Sequence, residues 1–294
     1  MQTLPYITII IPSYNRASKI GKTINSFIAQ SYQKWEMIVV DDHSVDNTKE
    51  VVDSYCQRDY RIHYVLNERK KGAQGARNTG ILHAKSDWVV LFDSDDYAYP
   101  DYLSKMMQYA SDEYDVITCD VNAVKIDGTE SKRTFWGAEG YVERELMTRK
   151  VYVNNNNAVI RKSKLEEIGL LDEDCAAYQE FDTHLRLSAV CRYKKIDEVL
   201  LDWFIGGADT ITSKTEKNRN ARCYVVWHNR KRWRKLEYSA FIHEAISLLA
   251  HSSLHSRWLL IKAAPEMIVF WPVVYINIAI RKINKVLKIN IPQI

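Results

Sequence analysis

At 294 residues the chain is long enough for one large domain or a domain with an appendage. Its 46% hydrophobic and 27% charged content excludes wholesale disorder, and 41 basic against 37 acidic residues leave a formal charge of only +4, too balanced to point to a nucleic-acid binder. The balance conceals a split, because residues 213–294 hold 15 Lys/Arg against 4 Asp/Glu, or +11, which leaves −7 on residues 1–212. An acidic body followed by a basic extension suggests two tasks, the second directed at an anionic surface. The five cysteines (Cys56, Cys119, Cys175, Cys191 and Cys223) are odd in number and form no C-x-x-C, which fits neither a disulfide framework nor a zinc site and suits a reducing compartment. The first residues lack the basic start and cleavage site of a secretory signal, and no run of 18 apolar residues offers an ordinary membrane span. The expectation is a cytosolic protein.

Along the chain, strand and helix patterns alternate. Ile7–Ile11 is a β-branched run suited to a buried parallel strand. Lys19–Gln30 comes next, with Ile20, Ile24, Phe27 and Ile28 at helical spacing. Trp35–Val40 predicts a second strand, Thr48–Cys56 a helix behind Asp46 and Asn47 as cap or turn residues, and Ile62–Leu66 a third strand. Gly72–Gly80 is expected to be a small-residue loop running into a short helix over Ala76–Ala84. Trp88–Phe92 is a fourth strand, with a helix beginning near Pro100. Farther on, Val116–Cys119, Ala158–Ile160 and Lys194–Trp203 predict strands, and Lys162–Ile168 and Glu180–Val190 predict helices, the first closed by Gly169. Gly128–Lys150 is expected to form a hairpin and an irregular segment, and Asn154–Asn157 stands out by composition alone. Repeated β-α-β order predicts an α/β fold, a mainly parallel sheet with helices on both faces. Gly206–Lys214 is a loop, and after it comes a helical, basic extension with Ile242, Ile246, Leu249 and Leu254 as an apolar stripe that Trp258, Leu259 and Ile261 extend.

Ligands of such sheets bind beyond the carboxyl ends of the strands. Three of these ends are polar here: Ser13-Tyr14-Asn15, Asp41-Asp42 and Asp93-Ser94-Asp95-Asp96. Three carboxylates within four residues repel one another, and a cation among them relieves the repulsion. Oxygen ligands select a hard ion such as Mg²⁺ or Mn²⁺, which completes its shell with substrate phosphates. The alternative is a solvated acidic turn. Gly72, Gly75 and Gly80 match neither dinucleotide-binding nor P-loop spacing. Arg77, between them, is either a phosphate contact or aspartate anchor, or an ordinary surface arginine.

In order and spacing, ITIIIPSYNR, QSYQKWEMIVVDDHSVDNT, KGAQGARNTGI and WVVLFDSDDYAYPDYL resemble family 2 glycosyltransferases, inverting nucleotide-sugar enzymes of the GT-A fold. The likeness continues through AVIRKSKLEEIGLLDE and YQEFDTHLRLSA and covers about residues 6–205. The resemblance implies that Pro12, Tyr14 and Asn15 contact base and ribose, with Tyr14 stacking, and that Asp42 accepts a hydrogen bond from uracil. It implies Arg77 beside the diphosphate, Ser94 and Asp95 on the nucleotide, and Asp93, Asp95 and Asp96 at the metal, with Asp96 its foremost ligand. The general base falls at Glu180, where the family usually has Asp, with Asp182 as the fallback. Thr210 and Ser213 would lie in a loop closing over the donor.

The implied protein has a catalytic domain over 1–212, divided into a nucleotide-binding half (1–100) and an acceptor-binding half (101–212), and a basic helical extension over 213–294. Lys217–Lys235 carries eight Lys/Arg, no acid, and Tyr224, Trp227 and Trp233. Met267–Ile280 is almost wholly apolar, interrupted by Pro272 and followed by Arg281, Lys282, Lys285 and Lys288. That pattern suits a helix lying in an anionic membrane surface, with an ordinary core or dimer helix as the alternative. The expected partners are a UDP-sugar, a lipid-linked saccharide acceptor of O-antigen or capsule type and the inner face of the plasma membrane. No nucleic acid is expected, and a homo-oligomer is left open. A nucleotidyltransferase would also use a strand-end metal but lacks a triphosphate signature here, and a catalytically inactive nucleotide-sugar scaffold is the third possibility.

Overall fold

The computed structural model describes residues 6–133, 139–206, 216–249 and 260–262. The chain divides into two compact units, one of residues 1–174 and 179–210, the other of 175–178 and 211–294. Alternating strands and helices open the first unit: β1 (Ile7–Ser13), α1 (Ile20–Ile28), β2 (Trp35–Asp41), α2 (Thr48–Cys56), β3 (Ile62–Leu66), α3 (Ala73–His83) and β4 (Trp88–Leu91). Next come β5 (Tyr97–Ala98), α4 (Tyr102–Met107), β6 (Val116–Lys125), β7 (Glu130–Arg133), α5 (Glu143–Met147), β8 (Ala158–Arg161), α6 (Lys162–Glu167), α7 (Gln179–Leu187) and β9 (Tyr193–Ile205). All nine strands form one sheet in the order β3-β2-β1-β4-β8-β6-β9-β5, with β7 paired to β6. β3, β2, β1 and β4 are parallel. β8 then runs antiparallel to both β4 and β6, and β9 returns parallel to β6. This is the expected α/β architecture, parallel where the first four strands meet and mixed beyond them.

The apolar runs are strands because both faces of the sheet are covered. β2 is buried at every position, and Ile9, Ile10 and Ile11 of β1 are fully buried. Alternation sends Ile9 and Ile11 into one layer with Ile20, Ile24 and Phe27 of α1 and Leu103 and Met106 of α4. In that layer Phe27, Phe92 and Tyr102 form an edge-on aromatic trio, with Phe27 and Phe92 centroids 4.8 Å apart at 88°. Phe92 immediately precedes the acidic turn, so the trio anchors it to the core. Asp46 behaves as a turn residue, its carboxylate accepting the N–H groups of Ala17 and Thr48.

The other face carries α3, and here the structure corrects the sequence. Residues 73–83 are helix, so the helix expected from Ala76 begins three residues earlier, within the stretch read as a small-residue loop. The glycines serve close packing. A Cβ on Gly80 would stand 2.3 Å from Ile10 Cγ2, and one on Gly75 would stand 1.8 Å from the Lys70 carbonyl oxygen. β6 and β9 are also longer than their apolar cores suggested, because each pairs with the other along most of its length. The hairpin expected within Gly128–Lys150 lies earlier: β6 pairs with β7 across a turn at Gly128, φ 77°, so its first arm precedes that span.

In the second unit, α8 (Glu216–Leu236) and α9 (Tyr238–Leu249) form a helical pair. The predicted α9 stripe is displaced by one residue. Phe241, Ala245 and Leu248 are buried, whereas Ile242 and Ile246 are only half-buried. Phe241 packs edge-on against Trp233 at 6.3 Å, and Glu244 shares that face because Arg222 reaches it, which fixes the helix rotation. Leu254, Trp258, Leu259 and Met267–Ile280 lie outside the described residues. Among the described residues no helix is long and apolar enough to cross a membrane.

Gly80→Ala is expected to destabilise the protein by about 1–3 kcal/mol, the usual cost of overfilling a packed core. Urea unfolding followed by circular dichroism measures it.

Candidate active site at the carboxyl edge of the sheet

The parallel registers bring the polar strand ends together. Ser13 pairs with Asp41 across β1 and β2, Pro12 with Val40, and Ile10 with Leu91 across β1 and β4. β1 to β3 extend the sheet one way and β4 lies on the other side of β1, so the crevice opens where strand order reverses. Tyr14, Asn15, Asp42, Arg77 and the Asp93–Asp96 turn all lie at this edge.

On the β2 side the acids are engaged by the chain itself. Asp42, 6% exposed, accepts Asn67 Nδ2 at 2.6 Å on one oxygen and the Gly72 N–H at 2.8 Å on the other. Asp41 accepts the Ser44 N–H and hydroxyl and the Tyr64 hydroxyl, and burial together with that hydrogen bond pushes the Tyr64 phenol far up. Asn15, at φ 51°, accepts the Val45 N–H and donates its own N–H to Ser44. Tyr14 is 43% exposed, with the Lys71 ammonium 5.0 Å from its ring centroid.

Arg77 projects from α3 and is 4% exposed, so it is no surface arginine. Nη2 donates to Asp93 Oδ1 at 2.6 Å and Nη1 to Gln74 Oε1 at 2.9 Å, while buried Nε has no acceptor within the protein. The acidic turn divides its carboxylates by environment. Asp93 takes the arginine. Asp96, 1% exposed, accepts the Phe204 N–H at 2.9 Å and Asn156 Nδ2 at 2.5 Å, and its carbonyl accepts the Thr23 hydroxyl. Burial first, then the charges of Asp93 and Asp95, hold its carboxyl well above the usual range. Asp95 is half-buried. Burial and Asp93 raise its carboxyl, and the Arg16 and Lys19 cations pull the other way. Ser94, between them, is buried.

Among the described residues no three His, Cys, Asp or Glu side chains are grouped to hold a metal. Asp96, the expected foremost ligand, accepts one protein donor on each oxygen and keeps a further lone pair on each. With Asp93 and Asp95 it makes a crowded set of carboxyl groups, and that oxygen chemistry fits a hard divalent cation sharing its shell with phosphates.

The two candidate bases differ in their surroundings. Asp182 is 2% exposed and accepts Arg186 Nε at 2.8 Å, and Arg186 continues to the carbonyls of Ile168 and Leu170, so Asp182 ties α7 to the loop before it. Glu180 is half-buried, and its surroundings are those of the crevice. Burial raises its carboxyl above the usual range, Arg77 offsets part of the rise, and Asp93 adds to it. Thr210 and Ser213 lie outside the described residues. Sequence reasoning missed Asn67, Gln74, Asn156 and Phe204, the partners that hold Asp42, Arg77 and Asp96. The odd Asn154–Asn157 run was the one visible signal.

The family model of glycosyl transferase family 2 matches residues 8–169, more than half of the chain. The chain belongs to glycosyltransferase family 2. The match ends before Gln179-Glu180, so the candidate base lies beyond it. Over 90 residues, 31% of its length, the chain is 43% identical to the Escherichia coli UDP-Glc:alpha-D-GlcNAc-diphosphoundecaprenol beta-1,3-glucosyltransferase WfgD. Over 112 residues, 38% of its length, it is 38% identical to the Campylobacter jejuni GalNAc(5)-diNAcBac-PP-undecaprenol beta-1,3-glucosyltransferase. These alignments span 35% and 36% of the two relatives, about a third of each. Among solved structures, residues 1–349 of S. aureus TarS in complex with UDP-GlcNAc align with a TM-score of 0.67 at 16% identity, over 90% of this chain and 80% of that one. At that identity the likeness establishes the GT-A fold alone.

Asp182→Asn is expected to cost about 1–3 kcal/mol of stability by leaving Arg186 without its carboxylate. Thermal unfolding reads the loss, and binding of UDP at a temperature where the variant is folded should be unchanged.

Proposed function

We propose that this protein is an inverting, metal-assisted glycosyltransferase. It would move a sugar from a UDP-sugar to a hydroxyl of a lipid-linked saccharide during assembly of a surface polysaccharide of O-antigen or capsule type. The observation that carries this is the strand-edge crevice, where buried Arg77 pairs with Asp93 and keeps Nε without a protein acceptor beside the Asp41-Asp42 and Asp93–Asp96 strand ends. The same Arg77 and Asp93 act on the carboxyl of Glu180, which burial raises. Ionised, Glu180 accepts the proton of the acceptor hydroxyl as that oxygen attacks the anomeric carbon from the face opposite the diphosphate, and the configuration inverts. No second carboxyl group has to protonate the leaving group, in contrast to a glycosidase. Arg77 would face the diphosphate through its unpaired Nε. Pro12, Tyr14, Asn15 and Asp42 would line the base and ribose end, Tyr14 by stacking, and Ser94 would border the nucleotide. Asp42 keeps lone pairs for uracil beyond its two protein donors. Asp96, with Asp95 and Asp93, would hold Mg²⁺ or Mn²⁺, and a bound ion supplies neutralisation of the diphosphate charge that grows as the sugar departs. The names of the two bacterial relatives, both glucosyltransferases acting on diphospho-undecaprenol-linked saccharides, support the acceptor class.

The second unit would bring the enzyme to that acceptor. The last two turns of α8 hold exposed Lys231 and Lys235 and half-buried Arg230, Arg232 and Arg234, a density of charge suited to the anionic inner face of the plasma membrane. Sedimentation should show binding to vesicles of phosphatidylglycerol that weakens as salt rises, with little binding to neutral vesicles.

Release of UDP from UDP-sugars, with and without a diphospholipid-linked saccharide, tests the reaction. Glu180→Gln should lower kcat about 10²- to 10⁴-fold, the usual contribution of a general base, with UDP affinity unchanged. A Glu180→Gln enzyme at the wild-type rate would sink the assignment. The base works only ionised, so activity should be present above its pKa and fall as pH drops through it. Because that pKa is raised, the acid limb of kcat/KM should lie above pH 4.5.

A further inference from the structure

Tyr178 has φ 57°, in the left-handed region. A bulky L-residue enters that region at a cost of about 1–2 kcal/mol and stays only where its surroundings hold it. It ends the short piece 175–178 that belongs to the second unit, and the holding contacts lie inside that unit. The Arg222 guanidinium stands 5.5 Å from the centroid of the Tyr178 ring. Arg222 is itself fixed, donating from Nη2 at 2.6 Å and from Nε at 3.1 Å to Oε1 of Glu244, a residue only 6% exposed. At the other end of the piece, Cys175 and Ala177 are buried, and the Cys175 thiol donates to the Ala177 carbonyl at 3.1 Å.

One peptide bond joins Tyr178 to Gln179, the first residue of α7, and Glu180 is the second. The dihedrals at residue 178 therefore direct the chain into the turn that carries Glu180. A helix whose first turn is aimed differently presents that carboxylate differently. We propose that Arg222, held by Glu244, clamps Tyr178 in its left-handed conformation and so acts as a positioning residue for Glu180. This rests on Glu180 being the base.

The full-length enzyme tests it through kcat, donor KM and UDP affinity for Arg222→Ala, Tyr178→Gly, their double variant and Tyr178→Phe. Arg222→Ala should lower kcat about 10- to 100-fold, as expected for a misplaced catalytic group, with UDP affinity unchanged. Tyr178→Gly adopts the same dihedral freely but loses the ring, and should show a similar loss. Tyr178→Phe keeps the ring but not the hydroxyl that bonds Arg222, and should lose less rate than Tyr178→Gly. In the double variant the losses should not add, because both remove one link. Additive losses, or an Arg222→Ala enzyme with wild-type kcat, would overturn the proposal. If Arg222→Ala does not fold, Glu244→Gln loosens the same arginine and should lower kcat alone; an unchanged kcat there counts equally against it. A Glu180→Gln enzyme that keeps its rate removes the base assignment itself. Loss of activity in Glu180→Gln with Arg222→Ala intact removes only the clamp.

Discussion

The site depends on how the chain keeps three carboxyl groups within four residues at the end of a buried strand. Repulsion and desolvation act together there, and each of the three is relieved differently. Asp93 takes a buried guanidinium, Asp96 takes a backbone N–H and an amide, and Asp95 faces partial solvent and two cations at a distance. The pairing of Arg77 with Asp93 is the contact on which the others depend, because an arginine so deeply buried must have a carboxylate. Its position depends on α3 lying directly on the sheet. Glycine at 75 and 80 permits that approach, so the same small residues that read as a loop in sequence set the location of the guanidinium that the acidic turn needs.

Division of labour between like groups recurs through the crevice. Asp41 and Asp42 are neighbours, yet one secures the loop after β2 and the other the loop after β3. Glu180 and Asp182 lie two residues apart on one helix and face opposite circumstances. Asp182 is neutralised by an arginine four residues on, whereas Glu180 is desolvated beside another acid. Environment alone separates a structural carboxylate from one suited to accept a proton.

The family relationship covers residues 8–169 and stops short of α7. The relatives aligned in sequence share that first part over about a third of their length. The remainder of this chain, with the Glu180 helix and the basic helical pair, is where an enzyme of this family would adapt to its own acceptor and surface.

The sequence by itself determined the α/β order, the crevice side of the sheet and the residues at its edge. Buried parallel strands read as unbroken apolar runs, and chain continuity places the residues after them at one edge. It also determined the charge split between body and extension. It did not determine that the helix expected from Ala76 begins at Ala73, since small residues signal a loop and a close helix contact alike. The rotation of α9 was likewise hidden, because an apolar residue on either side of Glu244 reads as a stripe until Arg222 is known to reach that glutamate. Only the tertiary structure decided which carboxylates are occupied. Asn67, Asn156 and Phe204 are 25, 60 and 108 residues from the acids they hold, and a hydrogen bond across such separations leaves no periodicity or spacing in the chain, since it exists only once the sheet has brought its ends together.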